Sequence, residues 1–195
     1  MKNEIVISGQ ISDLKEHHES HGEQFCKFYI TSTRNSGATD TLPCIISKKL
    51  TKNFVDGMDI EVVGDIRTYN TNGYLEIYVF AKETREYIVN NNSLEFEGYI
   101  CKKPILRETF FGKQICDLLI TVNSVNKKSY YIPCIAWGRN AKYADTLNVG
   151  DKVRVTGRFQ SREYTKVLDD GTTETRTAYE VSVQQIEEIW ESEGE

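Results

Sequence analysis

The sequence has no long apolar stretch. Its hydrophobic runs are a handful of residues each, far short of the about 20 that carry a helix across a bilayer. The opening MKNEIVISGQ lacks the apolar core of a secretion signal, so a cytoplasmic location and no membrane contact are expected. No Cys-x-x-Cys pair occurs among the five cysteines Cys26, Cys44, Cys101, Cys116 and Cys134. An odd set without that spacing reads as small core residues in a reducing compartment, not a disulfide frame or a zinc site. Histidine is scarce too. His17, His18 and His21 sit together in EHHESHGE, where a polar hairpin tip is favoured over convergent metal ligands. There is no Gly-rich phosphate loop, no Ser/His/Asp set and no metal-spaced carboxylates, and Asp169-Asp170 precedes Gly171 as turn residues do. Neither catalysis nor a cofactor or metal is expected.

What is present is a globular composition, 39% hydrophobic and 27% charged. The net charge of −5 argues against a polyanionic partner until it is mapped along the chain. Residues 94–186 hold fourteen Lys and Arg against eleven Asp and Glu, whereas residues 1–93 hold ten against thirteen. The last nine, EEIWESEGE, hold five Glu and no base. Basic character lies in the second half, and an acidic tail masks it.

The chain is also a repeat. FYITSTRNSGATDTLPCII lies over LLITVNSVNKKSYYIPCIA at a constant offset, matching Cys26 to Cys116, Pro43 to Pro133 and Cys44 to Cys134. ISGQI matches FEGYI, and DGMDIEVVGDI matches VGDKVRVTGRF, which places Gly57 over Gly150 and Gly64 over Gly157. In each copy three strands (4–14, 24–33, 41–47; 94–101, 113–123, 129–137) precede a short helical segment (48–54; 139–147). Two more strands follow (59–69, 74–82; 152–164, 178–189), with Asn72-Gly73 predicting a type I′ hairpin. Five strands with a helix after the third is the order of an OB barrel. The expected fold is all-β: two tandem OB barrels at 1–89 and 94–189, then a short acidic tail at 190–195. The join at 87–93, YIVNNNS, is too short for a free tether, so packed barrels are expected.

Two stretches of the second copy carry the functional signal. In YYIPCIAWG, alternation sets Ile132, Cys134 and Ala136 inward and Tyr131, Pro133, Ile135 and Trp137 outward. In VRVTGRFQSREYTK, Val153, Val155, Gly157 and Phe159 turn inward and Arg154, Arg158, Gln160, Arg162 and Tyr164 outward. Rings interleaved with guanidiniums on an open sheet suit an unpaired nucleic acid strand, because bases stack on rings and cations hold phosphates. The competing fate for such rings is to cap the core, and for single cations it is plain solvation. Arg107, Lys113, Arg139, Arg158, Arg162 and Lys166 are read as phosphate contacts because they cluster beside Tyr131, Trp137 and Tyr164.

At these residues the second copy resembles the bacterial single-stranded DNA-binding protein family. The resemblance runs from KKPILRETFFGK through YYIPCIAWGRNAKYADTLNVGDKVRVTGRFQSREYT to AYEVSV. It implies a wrapped single strand of DNA, with stacking at Tyr131, Trp137 and Tyr164 and basic contacts at Arg162 and Arg107. That family usually carries one OB domain per chain and assembles four. Two per chain imply a homodimer presenting four, in a bacterium or encoded by a phage or mobile element. The family's long linker and Pro-Phe tip are missing, since the chain ends Glu-Gly-Glu, which leaves recruitment of replication or repair proteins through the acidic C-terminus in question.

The first copy diverges. Thr41 and Ser47 stand where the second copy has Tyr131 and Trp137, and about Thr71 stands for Tyr164. Arg34, Lys48, Lys49, Arg67, Tyr69 and Tyr74 are its scattered candidates, for weak binding or for packing. The reading is sequence-independent single-stranded DNA binding and protection in replication, recombination or repair. The alternative is an OB-fold protein-interaction module of a replication or conjugation complex, with only weak DNA binding.

Overall fold

The computed structural model describes residues 1–71, 73–125 and 127–190. Alternating apolar residues produce strands throughout: β1 (Asn3–Ser20), β2 (Glu23–Thr33), β3 (Thr39–Ser47), β4 (Asp59–Thr71) and β5 (Tyr74–Glu86) in the first half. The second half holds β6 (Asn92–Ile100), β7 (Ile105–Glu108), β8 (Gln114–Asn123), β9 (Ser129–Trp137), α1 (Arg139–Thr146), β10 (Lys152–Val167) and β11 (Thr173–Glu188). Pairing closes each half on itself. β1 pairs with β2 and β4, β2 with β3, β4 with β5, and the parallel pair β3–β5 completes the ring. β6, β8, β9, β11 and β10 repeat the circuit, again through one parallel pair, β9–β11. The fold is therefore two OB barrels in tandem. Among the described residues no helix is long and apolar enough to cross a membrane.

The repeat's landmarks are steric requirements of this closure. A Cβ on Gly9 would stand 2.1 Å from the Thr31 carbonyl oxygen, and one on Gly98 would stand 2.6 Å from that of Thr121, the repeat partner of Thr31. A Cβ on Gly64 or Gly157 would likewise stand 2.2 or 2.3 Å from the carbonyl oxygen of Phe80 or Ser182, each glycine being at a β-bulge. Gly57 and Gly150, at φ of 88° and 99°, each donate to their barrel's first strand, at Ile11 within β1 and at Ile100 at the end of β6, at 2.8 Å.

The barrels are fused. The first strands of the two copies, β1 and β6, pair antiparallel from Asn3↔Phe96 to Ile7↔Asn92. Contacts then recur about a local two-fold. The Tyr131 amide of β9 donates to Thr68 Oγ1 of β4 at 2.9 Å, and the Ser161 amide of β10 donates to Asp40 Oδ1 of β3 at 2.8 Å. The displacement that carries Gly64 to Gly157 also carries Thr68 to Ser161. Asp40 is fully buried and takes both forks of Arg34, at 2.6 and 2.5 Å. In the join, the Asn92 amide clamps the Phe159 backbone, donating at 2.8 Å and accepting at 3.0 Å. The expected packing of the barrels is present.

Several details differ from expectation. The helical segment of the first copy shrinks to a 3-10 turn at Lys48–Leu50, while the second keeps a real helix anchored by buried Ala141 and Ala144. β7 is an added strand that forms a hairpin with β8, where alternation was too brief to register. EHHESHGE is the polar hairpin tip expected, but its strands run further than residues 14 and 24: β1 and β2 pair out to Ser20↔Glu23, with His21 and Gly22 turning at φ of 51° and 73°. Asn72, on which the type I′ expectation rests, and residues 191–195 of the tail lie outside the described residues. Thr71 and Tyr74 pair across that turn, and Trp190 is exposed.

Two measurements test this architecture. Gly9→Ala and Gly98→Ala should each cost about 1–3 kcal/mol of stability by overpacking against backbone, read as a lower urea midpoint. Of the five thiols, only Cys101 is not buried. Burial pushes Cys116 up to about 11 and holds Cys44 and Cys134 far above the ordinary thiol range. Since the thiolate is the reactive form, Ellman's reagent near pH 8 should label Cys101 alone in folded protein.

Candidate nucleic-acid interface

Opposed residues of paired strands project to the same side. On the outer side of the second barrel the rows are Thr121–Tyr131, Leu119–Pro133, Asp117–Ile135 and Ile115–Trp137 between β8 and β9. β7 extends the last row, with Arg107 opposite Ile115. Across the parallel seam Ile135 meets Ser182 of β11. Beyond it come Arg158–Ser182, Gln160–Glu180, Arg162–Ala178, Tyr164–Arg176 and Lys166–Glu174. Seven of the nine residues singled out in the second copy thus share one sheet face. The other two frame it: Lys113 closes the β7–β8 turn, its amide bonded to Thr109 Oγ1 at 3.0 Å, and Arg139 opens α1.

The rings are available for stacking. Tyr131, Trp137 and Tyr164 are 46%, 41% and 37% exposed. Trp137 edges a cavity of about 570 Å³ with Arg139, Asn140, Tyr143 and Gln184. The cations are less uniform. Arg107 is tied to Asp117 by two hydrogen bonds at 2.5 and 3.0 Å, which raises its already high pKa. Arg162 stands 3.6 Å from Glu180 and over the Tyr164 ring. Lys113, Arg139 and Lys166 make no ion pair among the described residues. Arg158 donates to Gln160 at 3.1 Å while its Nε is buried without a partner. Burial, and behind it Arg34, make it less basic than usual.

Three outward assignments change. Ile135 is 3% exposed and Gln160 is 6% exposed. Ile135 sits between rows that cover it, and Gln160 is held by Glu180 at 3.0 Å where β10 meets the first barrel. Arg154 faces outward but on the far sheet, among Glu95, Glu97 and Glu187. The face is therefore narrower than alternation alone suggests.

In the first barrel the candidate cations are engaged internally. Arg34 belongs to the buried Asp40 contact between the barrels. Lys48 pairs with Glu16, Lys49 with Glu23 and Arg67 with Asp65. Tyr69 donates to Glu76 at 2.6 Å, and burial followed by this carboxylate pushes it up to about 12. Tyr74, 60% exposed, reaches the second barrel, where Arg176 lies 6.0 Å over its ring. Tyr69 and Tyr74 join Tyr29, Tyr78, Tyr164 and Tyr179 around a crevice of about 530 Å³ between the barrels. This crevice has no signature in the local sequence pattern. The sequence reading also passed over Phe110 and Phe111, 98% and 85% exposed at the β7–β8 tip, although the letters FFG were there to find them.

Comparison with known proteins adds a family and a fold. The model of the single-strand binding protein family matches residues 89–189, just over half of the chain. The wild-type single-stranded DNA binding protein of Thermus aquaticus superposes with a TM-score of 0.78 at 18% identity, covering 100% of this chain and 96% of that one. A deletion mutant of the same protein gives 0.75 at 18% identity, over 98% and 96%. No curated protein sequence matches.

Proposed function

From a chain that belongs to the single-strand binding protein family, we propose a sequence-independent binder of single-stranded DNA whose main site is the outer face of the second barrel. What carries this reading is the single surface holding Tyr131, Trp137 and Tyr164 among Arg107, Arg158, Arg162 and Lys166, framed by Lys113 and Arg139. Bases stack on the three rings, and the lysines and arginines displace counterions from the phosphates. No covalent step is needed. The biological role is to coat and protect unpaired strands in replication, recombination or repair within the cytoplasm. Two chains, paired as a homodimer, supply the four barrels usual for the family.

The arrangement also ranks the contacts. Lys113, Arg139 and Lys166 meet phosphate without first giving up a carboxylate. Arg107 and Arg162 must share theirs with Asp117 and Glu180, so their net pull is weaker.

Titrating intrinsic fluorescence with oligo-dT tests the site, with Trp190→Phe removing the second tryptophan. The parent should quench on binding, and Trp137→Ala should lose about tenfold to a hundredfold in affinity, the worth of one stack. Equal affinity in parent and Trp137→Ala would remove this face as the site. Asp117→Asn tests the electrostatics. Freeing Arg107 should raise affinity and steepen the plot of log K against log salt by about 0.7, the share of one phosphate.

A further inference from the structure

The turn that joins β7 to β8 carries two almost wholly exposed rings. Phe110 and Phe111 are 98% and 85% exposed, with centroids 5.5 Å apart and planes at 86°. They fill the two central places of a closed turn. The Gly112 amide donates to the Thr109 carbonyl at 2.9 Å, the Thr109 amide donates to the Lys113 carbonyl at 2.8 Å, and Gly112 takes a φ of 74°. Backbone bonds, not core contacts, hold the rings at the tip.

The fold does not require these rings. At the repeat offset that sets Cys26 over Cys116, Phe110 and Phe111 fall on Ser20 and His21, at the tip of the β1–β2 ribbon. The charge is reversed as well. Residues 102–113 hold four Lys and Arg against one Glu, whereas residues 12–23 hold one Lys against four Asp and Glu. The same projection is acidic and polar on one barrel, basic and aromatic on the other. An exposed apolar knob marks an interaction site, and cations around it select a polyanion. Its place narrows the choice. β7 ends the sheet, and Arg107 stands in the row of Ile115 and Trp137. The tip therefore lies at one border of the face proposed for the single strand.

We propose that Phe110 and Phe111 cap the last base pair at the point where a single strand bound on the second barrel enters a duplex. This rests on the reading of the second barrel given above. Tyr131, Trp137 and Tyr164 lie on the sheet with less than half of their surface free, and a ring so placed takes one base on its open side. Phe110 and Phe111 stand clear of the sheet instead. Rings set nearly at a right angle leave no slot that would hold a base between them. A base pair offers a planar face about twice as wide as one base. One ring lies flat on that face while the other stands upright beside it, where the two strands part, as apolar wedges do against a base step. Lys113, at the foot of the turn and without an ion pair among the described residues, meets the phosphate at the junction.

The test uses the full chain and oligo-dT of about 12 nucleotides, a length that one OB barrel covers, free or attached as a 5′ or a 3′ tail to a hairpin duplex. Because the tip borders one end of the face, one tail polarity should bind about tenfold tighter than the free strand, the worth of one stack. The other polarity should not. Phe110→Ser combined with Phe111→His, which copies the tip of the first barrel, should lose that gain and leave the affinity for free oligo-dT unchanged. In the unaltered protein, 5-iododeoxyuridine at the last paired position should photo-crosslink to residues 109–113. Equal affinity for both tails, or a variant that keeps the gain, overturns the proposal. An equal loss on free oligo-dT makes the rings an ordinary stack for the single strand and overturns it too. A crosslink from the last pair to another segment overturns it even if the variant folds poorly. A parent that binds none of the probes overturns the reading of the second barrel along with this one.

Discussion

The pairing of β1 with β6 is the contact on which the rest of the molecule depends. β1 is eighteen residues long, and it serves two barrel walls by changing partner along its length. Residues 10–20 pair with β2, while residues 5–10 pair with β4. The stretch that has left β2 would expose a row of amides and carbonyls, the usual liability of a strand edge. β6 covers it, because the second copy has the same shape and the same open stretch. One antiparallel ladder therefore satisfies both edges and sets the barrels about a local two-fold.

That geometry decides which surfaces remain. With the first strands joined, β4 reaches β9 and β10 reaches β3, and the contacts Thr68–Tyr131 and Ser161–Asp40 follow as a matched pair. The outer faces of the barrels converge along this line, and Ile45 lines the crevice between them. Arg34 is drawn into the same contact. A basic residue in a polar turn looks like a surface charge, and what makes it structural is its pairing with buried Asp40, which also takes the Ser161 amide of the other copy. The crevice is what this convergence leaves unfilled.

Selection between the copies then acts on one side of each sheet. The inward sides keep the same Cys positions and the same crowded glycines, because a closed barrel leaves no room for another choice. The outward sides are free to differ. Trp137 against Ser47 and Ile115 against Phe25 show the difference as an exchange across one strand pair, which preserves a ring in the row while altering its strand. A comparison position by position along β3 and β9 sees only loss. Comparison across the registered sheet sees the replacement, and registration is a property of the folded chain.

Much of the fold was legible in the letters. Period-two alternation marked nearly every strand, and the glycine and Pro-Cys landmarks marked the repeat and thereby two barrels of one topology. YYIPCIAWG with VRVTGRFQSREYTK marked the richer face. These are local signals, set by which side of a strand meets the core and by where a Cβ cannot fit. β7, the burial of Ile135 and Gln160, the ion pairs that occupy Arg34 and Arg107, and the crevice between the barrels were not legible. Strand registration within one barrel decides β7 and the Arg34–Asp40 and Arg107–Asp117 pairs, and the crevice forms only when β1 meets β6. The sequence by itself determined two barrels and a ring-bearing strand, because backbone pairing and core volume are repeated in every copy. Which rings and charges stand free on the surface was decided by the tertiary structure, since exposure depends on what the other barrel covers.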